Sequence, residues 1–141
     1  IKNYELEPTF ENVAKTLLND TLKRNNYLYK FYELLNNIDS CFSICLDGAW
    51  GCGKTFFVKQ AQLLLLSENP LLEIGKLDID ITEEEKNKLK EIQEAKLKKI
   101  KDIKNIQYPI YYDAWDNDNA EDPILSLVYA ITKALHSENY H

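Results

Sequence analysis

Glycine is scarce in this chain of 141 residues: there are four, and three of them, Gly48, Gly51 and Gly53, fall within one stretch of six. Proline is equally sparse at four, and no low-complexity linker or internal repeat marks a second domain. Long apolar runs are missing; Leu63–Leu66 is far shorter than the roughly 20 residues that span a bilayer. No secretory pattern opens the chain, and its start at Ile1 rather than Met predicts an upstream segment lost to trimming or processing. Positive charge is also short. Seventeen Lys and Arg against 23 Asp and Glu leave a net charge of -6, which argues against broad nonspecific nucleic-acid binding. Cysteine numbers three, an odd count that suggests a reducing compartment and hence a cytoplasmic location. Cys41 and Cys45 lie on one predicted strand and are expected as buried thiols. His136 and His141 show no zinc-ligand spacing with them.

The glycines sit where they have chemical meaning. Phe42, Ile44, Cys45 and Leu46 form an apolar run that predicts a strand, and Phe56-Phe57-Val58 opens a predicted helix. Between them, Gly48, Gly53, Lys54 and Thr55 satisfy G-x-x-x-x-G-K-[ST], the phosphate-binding P-loop, in the strand–turn–helix context the motif requires. Such a loop turns its backbone N–H groups inward as an anion nest, and glycine permits the close approach that a Cβ would block. The helix N-terminus adds unpaired N–H groups and the positive end of its dipole. The candidate nucleotide-binding set is therefore Gly48, Ala49, Trp50, Gly51, Cys52, Gly53, Lys54, Thr55 and Phe56. Lys54 would reach the β- and γ-phosphates as the catalytic lysine, and the Thr55 hydroxyl would coordinate Mg²⁺. Cys52 would contribute a backbone N–H whatever its side chain does.

Around this loop the chain reads as one domain. Residues 1–40 form a helical lead-in: an extended start to Pro8, a helix N-capped by Thr9, and a stripe at Phe10, Val13, Leu17, Leu28, Phe31 and Leu35. A break near Asn19-Asp20 or Asn25-Asn26 would divide it into two helices. Tyr27, Tyr29 and Tyr32 read either as a base-stacking face or as core edges with wet hydroxyls. Residues 41–67 give the strand, the loop and a helix from Lys54 to Ser67, stopped by Asn69-Pro70. Thr82-Glu83-Glu84-Glu85 is a capping box opening a charged helix over 83–105, with Glu84/Lys88 and Glu94/Lys98 pairs and a narrow apolar line at Leu89, Ile92, Ile100 and Ile103. So thin a line predicts a helix that projects from the body. Residues 108–136 supply a second strand, Tyr108–Trp115, and a helix capped by Asp122 with Pro123 at its first position. Ile124, Leu127, Val128, Ile131 and Leu135 form the apolar stripe of that helix.

Two of these stretches together resemble the KAP family of P-loop NTPases: the tryptophan-bearing loop GAWGCGKT at Gly48–Thr55, and the strand ending Asp113-Ala114-Trp115 before a proline-started helix. The resemblance covers roughly Phe42 to Leu135. It implies an α/β fold, a parallel sheet flanked by helices, with ATP rather than GTP as ligand and Mg²⁺ as its companion. It implies also a regulatory or signalling ATPase, in bacteria linked to phage exclusion or antiviral defence. Many members carry transmembrane helices between the P-loop helix and the Asp-Ala-Trp strand, where this chain has the charged helix.

The family's Walker B motif lies beyond the second helix, and no such apolar strand ending in paired acids follows Leu135. With two clear strands against the five or so of a complete core, residues 1–141 are expected to be the N-terminal part of a larger ATPase domain. Asp113 carries two readings. It ends an apolar run as a Walker B acid would, or it fixes a turn near the nucleotide edge together with Trp115. As for function, Mg²⁺-dependent ATP binding with hydrolysis in the intact protein stands beside a nucleotide-gated module that assembles with itself or a protein partner without turnover. A small-molecule kinase would need an acceptor site and lid arginines that this sequence does not show.

Overall fold

The computed structural model describes residues 6–49, 53–70, 81–95, 103–116 and 122–134. Helix α1 (Phe10–Asn19) starts at Thr9, whose hydroxyl accepts a hydrogen bond from the Asn12 N–H at 3.3 Å. It ends at Asp20 in the left-handed region. The break therefore falls between the two positions expected, at residues 20–24, with positive φ at Asp20 and Lys23. Asn25 holds this corner. Its side chain donates to the Leu17 carbonyl at 2.8 Å, while its own N–H donates to Asp20 Oδ1 at 3.2 Å. Helix α2 follows over Asn25–Asn36.

Helix α3 (Lys54–Ser67) is the centre of the fold. Leu63, Leu64, Leu65 and Leu66 are all buried, so this helix is apolar on several sides and must be covered on several sides. Helices α1, α2 and α4 (Glu83–Glu94) supply that cover, and α1 also meets α4. The core joins Val13, Ala14 and Leu17 of α1, Leu28 and Tyr32 of α2, Phe56, Ala61 and Leu63–Leu66 of α3, and Leu89 and Ile92 of α4. Each fully buried leucine contributes about 1.5–3 kcal/mol relative to exposure. Helix α5 (Pro123–Ala134) opens as its sequence specifies, with Asp122 Oδ1 accepting from the Ile124 N–H at 2.9 Å.

The expected α/β fold with a parallel sheet is not what the chain forms: every regular element among the described residues is a helix. Residues 41–49 are without regular structure and exposed, and Phe42, Ile44 and Leu46 keep 47, 47 and 46% of their surface in solvent. Alternating apolar residues make a segment competent for a sheet, but a strand exists only through a ladder with a neighbour. Among the described residues no backbone bond joins 41–46 to 108–113. The second segment is anchored by side chains instead. The Asn105 amide donates to the carbonyls of Leu35, Asn36 and Ile38, and Asn36 Oδ1 accepts from the N–H groups of Lys104 and Asn105. Cys41 and Cys45 are accordingly exposed thiols, not buried ones.

The charged helix does not project either. Leu89 and Ile92 are wholly buried, because two apolar residues three apart are enough to seat a helical face against α1 and α3. The capping box at Thr82 and Glu85 is present. The helix closes at Glu94, with residues 103–105 non-helical; Lys98 and Ile100 lie outside the described residues. Lys88 pairs with Glu91 at 3.3 Å rather than with Glu84, and Lys86 with Glu83 at 3.7 Å. On α5 the apolar stripe is present in sequence but not in the core. None of its residues is buried, and Ile124 and Leu125 are well exposed. Two tyrosine hydroxyls hold it, Tyr108 donating to the Ala134 carbonyl and Tyr112 to Ser126 Oγ, both at 3.1 Å.

Candidate nucleotide-binding site

Gly53 sets the geometry of the loop's exit. It has φ of 87°, a conformation that penalises any residue with a Cβ, and from it the chain enters α3 directly. The first turn of α3, like that of α2, has no cap from its N-cap side chain among the described residues. Thr9 serves α1, Asp20 the first N–H of α2, Thr82 α4 and Asp122 α5, whereas glycine offers α3 no acceptor. Among the described residues no acceptor is bonded to its leading N–H groups, which lie at the end of the helix where the dipole is positive.

Lys54 lies at the same end. Its Nζ donates to the Gly48 carbonyl, and to that of Ala49 at 3.3 Å, so the lysine is folded back across the loop it follows. An ammonium held by neutral carbonyls can exchange them for phosphate oxygens, a stronger charge-assisted partner. Thr55 is exposed in the first turn, which leaves its hydroxyl accessible to a metal ion, while Phe56 is buried and anchors α3 in the core. Trp50, Gly51 and Cys52 lie outside the described residues.

A cavity of about 820 Å³ opens beside the loop. Gly48, Gly53 and Lys54 form one end of it, and Pro109, Ile110 and Tyr111 bring the second segment to its edge. Asp113 and Trp115 stand apart from this lining. Asp113 Oδ1 accepts from the Trp115 N–H at 2.9 Å and the Asp116 N–H at 3.4 Å, the pattern of an Asx turn, and Trp115 is 78% exposed. Tyr111 is partly buried, and burial raises its hydroxyl pKa above the usual tyrosine value, with Asp113 and Asp116 adding to the rise. Lys59 Nζ lies 5.0 Å from the centre of the Tyr111 ring.

One residue here escaped the sequence reading. A Cβ built on Gly53 would stand 2.8 Å from Arg24 Nη1, which places the guanidinium against the loop's exit. Arg24 is the chain's sole arginine among many lysines, and that singularity was the available signal. The three tyrosines of α2 divide: Tyr32 is buried, Tyr29 half-buried and Tyr27 64% exposed at the cavity.

No helix among the described residues is long and apolar enough to cross a membrane. No curated protein and no solved structure matches the chain. The KAP family P-loop domain matches it over residues 24–141, which takes in α2, the loop, Lys54 and the Asp113–Trp115 turn. The chain, which thus pairs a P-loop with an uncapped helix behind it, belongs to the KAP family of P-loop domains.

Proposed function

We propose that the chain binds ATP in a Mg²⁺-dependent manner, and that the intact protein hydrolyses it. The observation that carries this reading is the uncapped N-terminus of α3 with Lys54 folded against the loop beside it. Gly53 and the leading N–H groups of α3 would bind the terminal phosphates, Lys54 would bridge them, and Thr55 would hold the metal. Mg²⁺, when bound, neutralises phosphate charge and fixes the phosphate geometry. Family membership supports a regulatory or signalling role, in bacteria one in phage defence. The exposed apolar residues of α5 support a protein partner or self-assembly.

Calorimetry with Mg-ATP on the wild type and on Lys54→Ala tests the site. Loss of a charge-assisted contact worth about 1.5–3 kcal/mol should weaken binding by at least about ten-fold without lowering the melting temperature. Equal affinity in a folded Lys54→Ala protein would remove the assignment. A second reading, ATP as an assembly switch without turnover, draws support from Asp113, whose carboxylate is engaged by turn N–H groups. Phosphate release from the intact protein separates the two.

A further inference from the structure

One face of each of two helices lines the cavity beside the loop. On α3 the lining recurs at Lys54, Phe57, Val58, Ala61 and Leu65, and at the start of and along α2 at Arg24, Tyr27, Phe31 and Leu35. The two helices run the same way. Arg24 meets Gly53 at their starts, and Phe31 meets Phe57 edge to face with ring centres 6.3 Å apart. At their ends Gln107 joins them, its Nε2 donating to the Leu35 carbonyl at 3.4 Å and its backbone carbonyl accepting from Asn69 Nδ2 at 3.2 Å. The cavity is therefore a trough. From Lys54 to Leu65, as from Arg24 to Leu35, the helical rise gives it a length of about 16 Å. Its ends differ in charge. Arg24 and Lys54 stand at the loop end with Asp47 as the opposing carboxylate. Beyond them the polar side-chain groups of the lining are Gln62 and the hydroxyls of Tyr27 and Tyr111, and Ile44, Leu46 and Ile110 complete the wall.

We propose that this trough takes a single-chain amphiphilic anion of the long-chain fatty-acid class, as a regulatory ligand that excludes nucleotide. Its carboxylate lies at Arg24 and Lys54, and its hydrocarbon chain runs along α2 and α3 toward Leu35 and Leu65. Charge and shape decide the occupant. Two cations against one carboxylate favour an anionic head, and Lys54 can exchange the carbonyls of Gly48 and Ala49 for a carboxylate, its stronger partner. A long apolar trough charged at one end suits an unbranched chain, which gains burial with every methylene. Ile44, Leu46 and Val58, all exposed on the trough wall, are the surface such a chain covers. Because Lys54 is also the phosphate lysine, bound carboxylate and bound triphosphate exclude one another. That exclusion rests on the phosphate assignment above; the binding of the chain does not.

The test is calorimetry on the full chain with sodium hexanoate, octanoate, decanoate and dodecanoate, below micelle formation. Each added pair of methylenes should raise affinity by about ten-fold while the chain is still entering the trough. Affinity that does not rise with chain length would overturn the proposal without any variant. Dodecanol, which has the chain without the charge, should bind at least about ten-fold more weakly than dodecanoate, and equal binding would overturn the placement of the head. Val58→Asp sets a carboxylate in the exposed part of the trough wall and should weaken dodecanoate by about ten-fold or more. Leu125→Asp, on the exposed apolar surface of α5, should leave it within about two-fold. The reverse pattern would move the chain to α5 and overturn the proposal. Should either variant fail to fold, nuclear Overhauser contacts between the bound methylenes and the Tyr111 ring in the wild type support the proposal, and their absence overturns it. Rising dodecanoate should raise the apparent Kd of Mg-ATP in proportion, and an ATP affinity indifferent to it would overturn the exclusion. Dodecanoate binding in a wild type that binds no ATP would remove the phosphate assignment and leave the ligand of the trough standing.

Discussion

Gln60 of α3 donates through Nε2 to Thr16 Oγ1 of α1 at 3.1 Å, and both residues are buried. Thr16 in turn donates to the Asn12 or Val13 carbonyl, whereas Gln60 Oε1 has no partner among the described residues. The two ends of this bond are therefore unequal. Thr16→Val strands the whole Gln60 amide in the core and should cost about 1–3 kcal/mol, the penalty of an unsatisfied buried group. Gln60→Leu removes the amide together with its orphan oxygen and should stay within about 1 kcal/mol of the wild type. Urea unfolding of the two variants reads this asymmetry, and equal losses would contradict it.

At Gly53 a substitution meets two obstacles at once. With φ of 87°, Ala carries a strain of about 1–2 kcal/mol. Its Cβ would also lie 2.8 Å from Arg24 Nη1, so the guanidinium has to move. Gly53→Ala is expected to lower the melting temperature and to weaken ATP binding beyond what the melt explains. The Gly53→Ala, Arg24→Ala double variant, freed of the clash, should regain part of the stability, and a double variant no more stable than the single would remove Arg24 from the account.

Asp113 distinguishes a turn from a metal site by its response to a neutral isostere. Asn presents the same oxygen to the N–H groups of Trp115 and Asp116, so Asp113→Asn should keep Mg²⁺-dependent ATP binding within a few-fold. Thr55→Ala, in contrast, should blunt the Mg²⁺ dependence. Titration of Mg²⁺ against ATP affinity checks both. If Asp113→Asn abolished the Mg²⁺ effect while metal-free binding survived, Asp113 would be the metal-ordering acid.

Alkali should destabilise the fold through its tyrosines. Burial raises the hydroxyl pKa of Tyr29, Tyr32 and Tyr111, opposed at Tyr29 by its hydrogen bond with Asn25 and aided there by Asp20, at Tyr32 by Glu68, and at Tyr111 by Asp113 and Asp116. A raised folded-state pKa means stability fully present below the unfolded value, about 10, and lost as the pH climbs through the higher folded value. Chemical denaturation at rising pH, with tyrosinate absorbance followed in parallel, checks the direction. Stability that held or grew above pH 10 would contradict it.

The helices were legible because their signals are local. Thr9, Thr82 and Asp122 each cap a helix within three residues of themselves, and a periodic face one turn long is visible in any short window. The loop motif is local in the same way, and the family it implied is the one that matches the chain. What the sequence could not deliver was partnership. Phe42, Ile44 and Leu46 alternate as a strand does, yet whether a ladder forms depends on residues elsewhere, and none among those described pairs with them. Leu89 and Ile92 erred in the opposite direction, a sparse line that nonetheless found α1 and α3. Arg24 stood out as the sole arginine, but its place beside Gly53, 29 positions away, could not be read from the sequence.

The amide of Asn105 reaches the carbonyls of Leu35, Asn36 and Ile38 across 70, 69 and 67 positions of chain. The first two are orphan acceptors at the end of α2 and the third lies just past it; most helices satisfy theirs with a neighbour. Here the seal arrives from the far side of α3 and α4. Closing a loop of that length is entropically slow to be rewarded, since each doubling adds about 0.6 kcal/mol before any contact forms. The last turn of α2 is completed by a residue that follows α3 and α4 in the chain, on the same segment that brings Tyr111 to the cavity's edge.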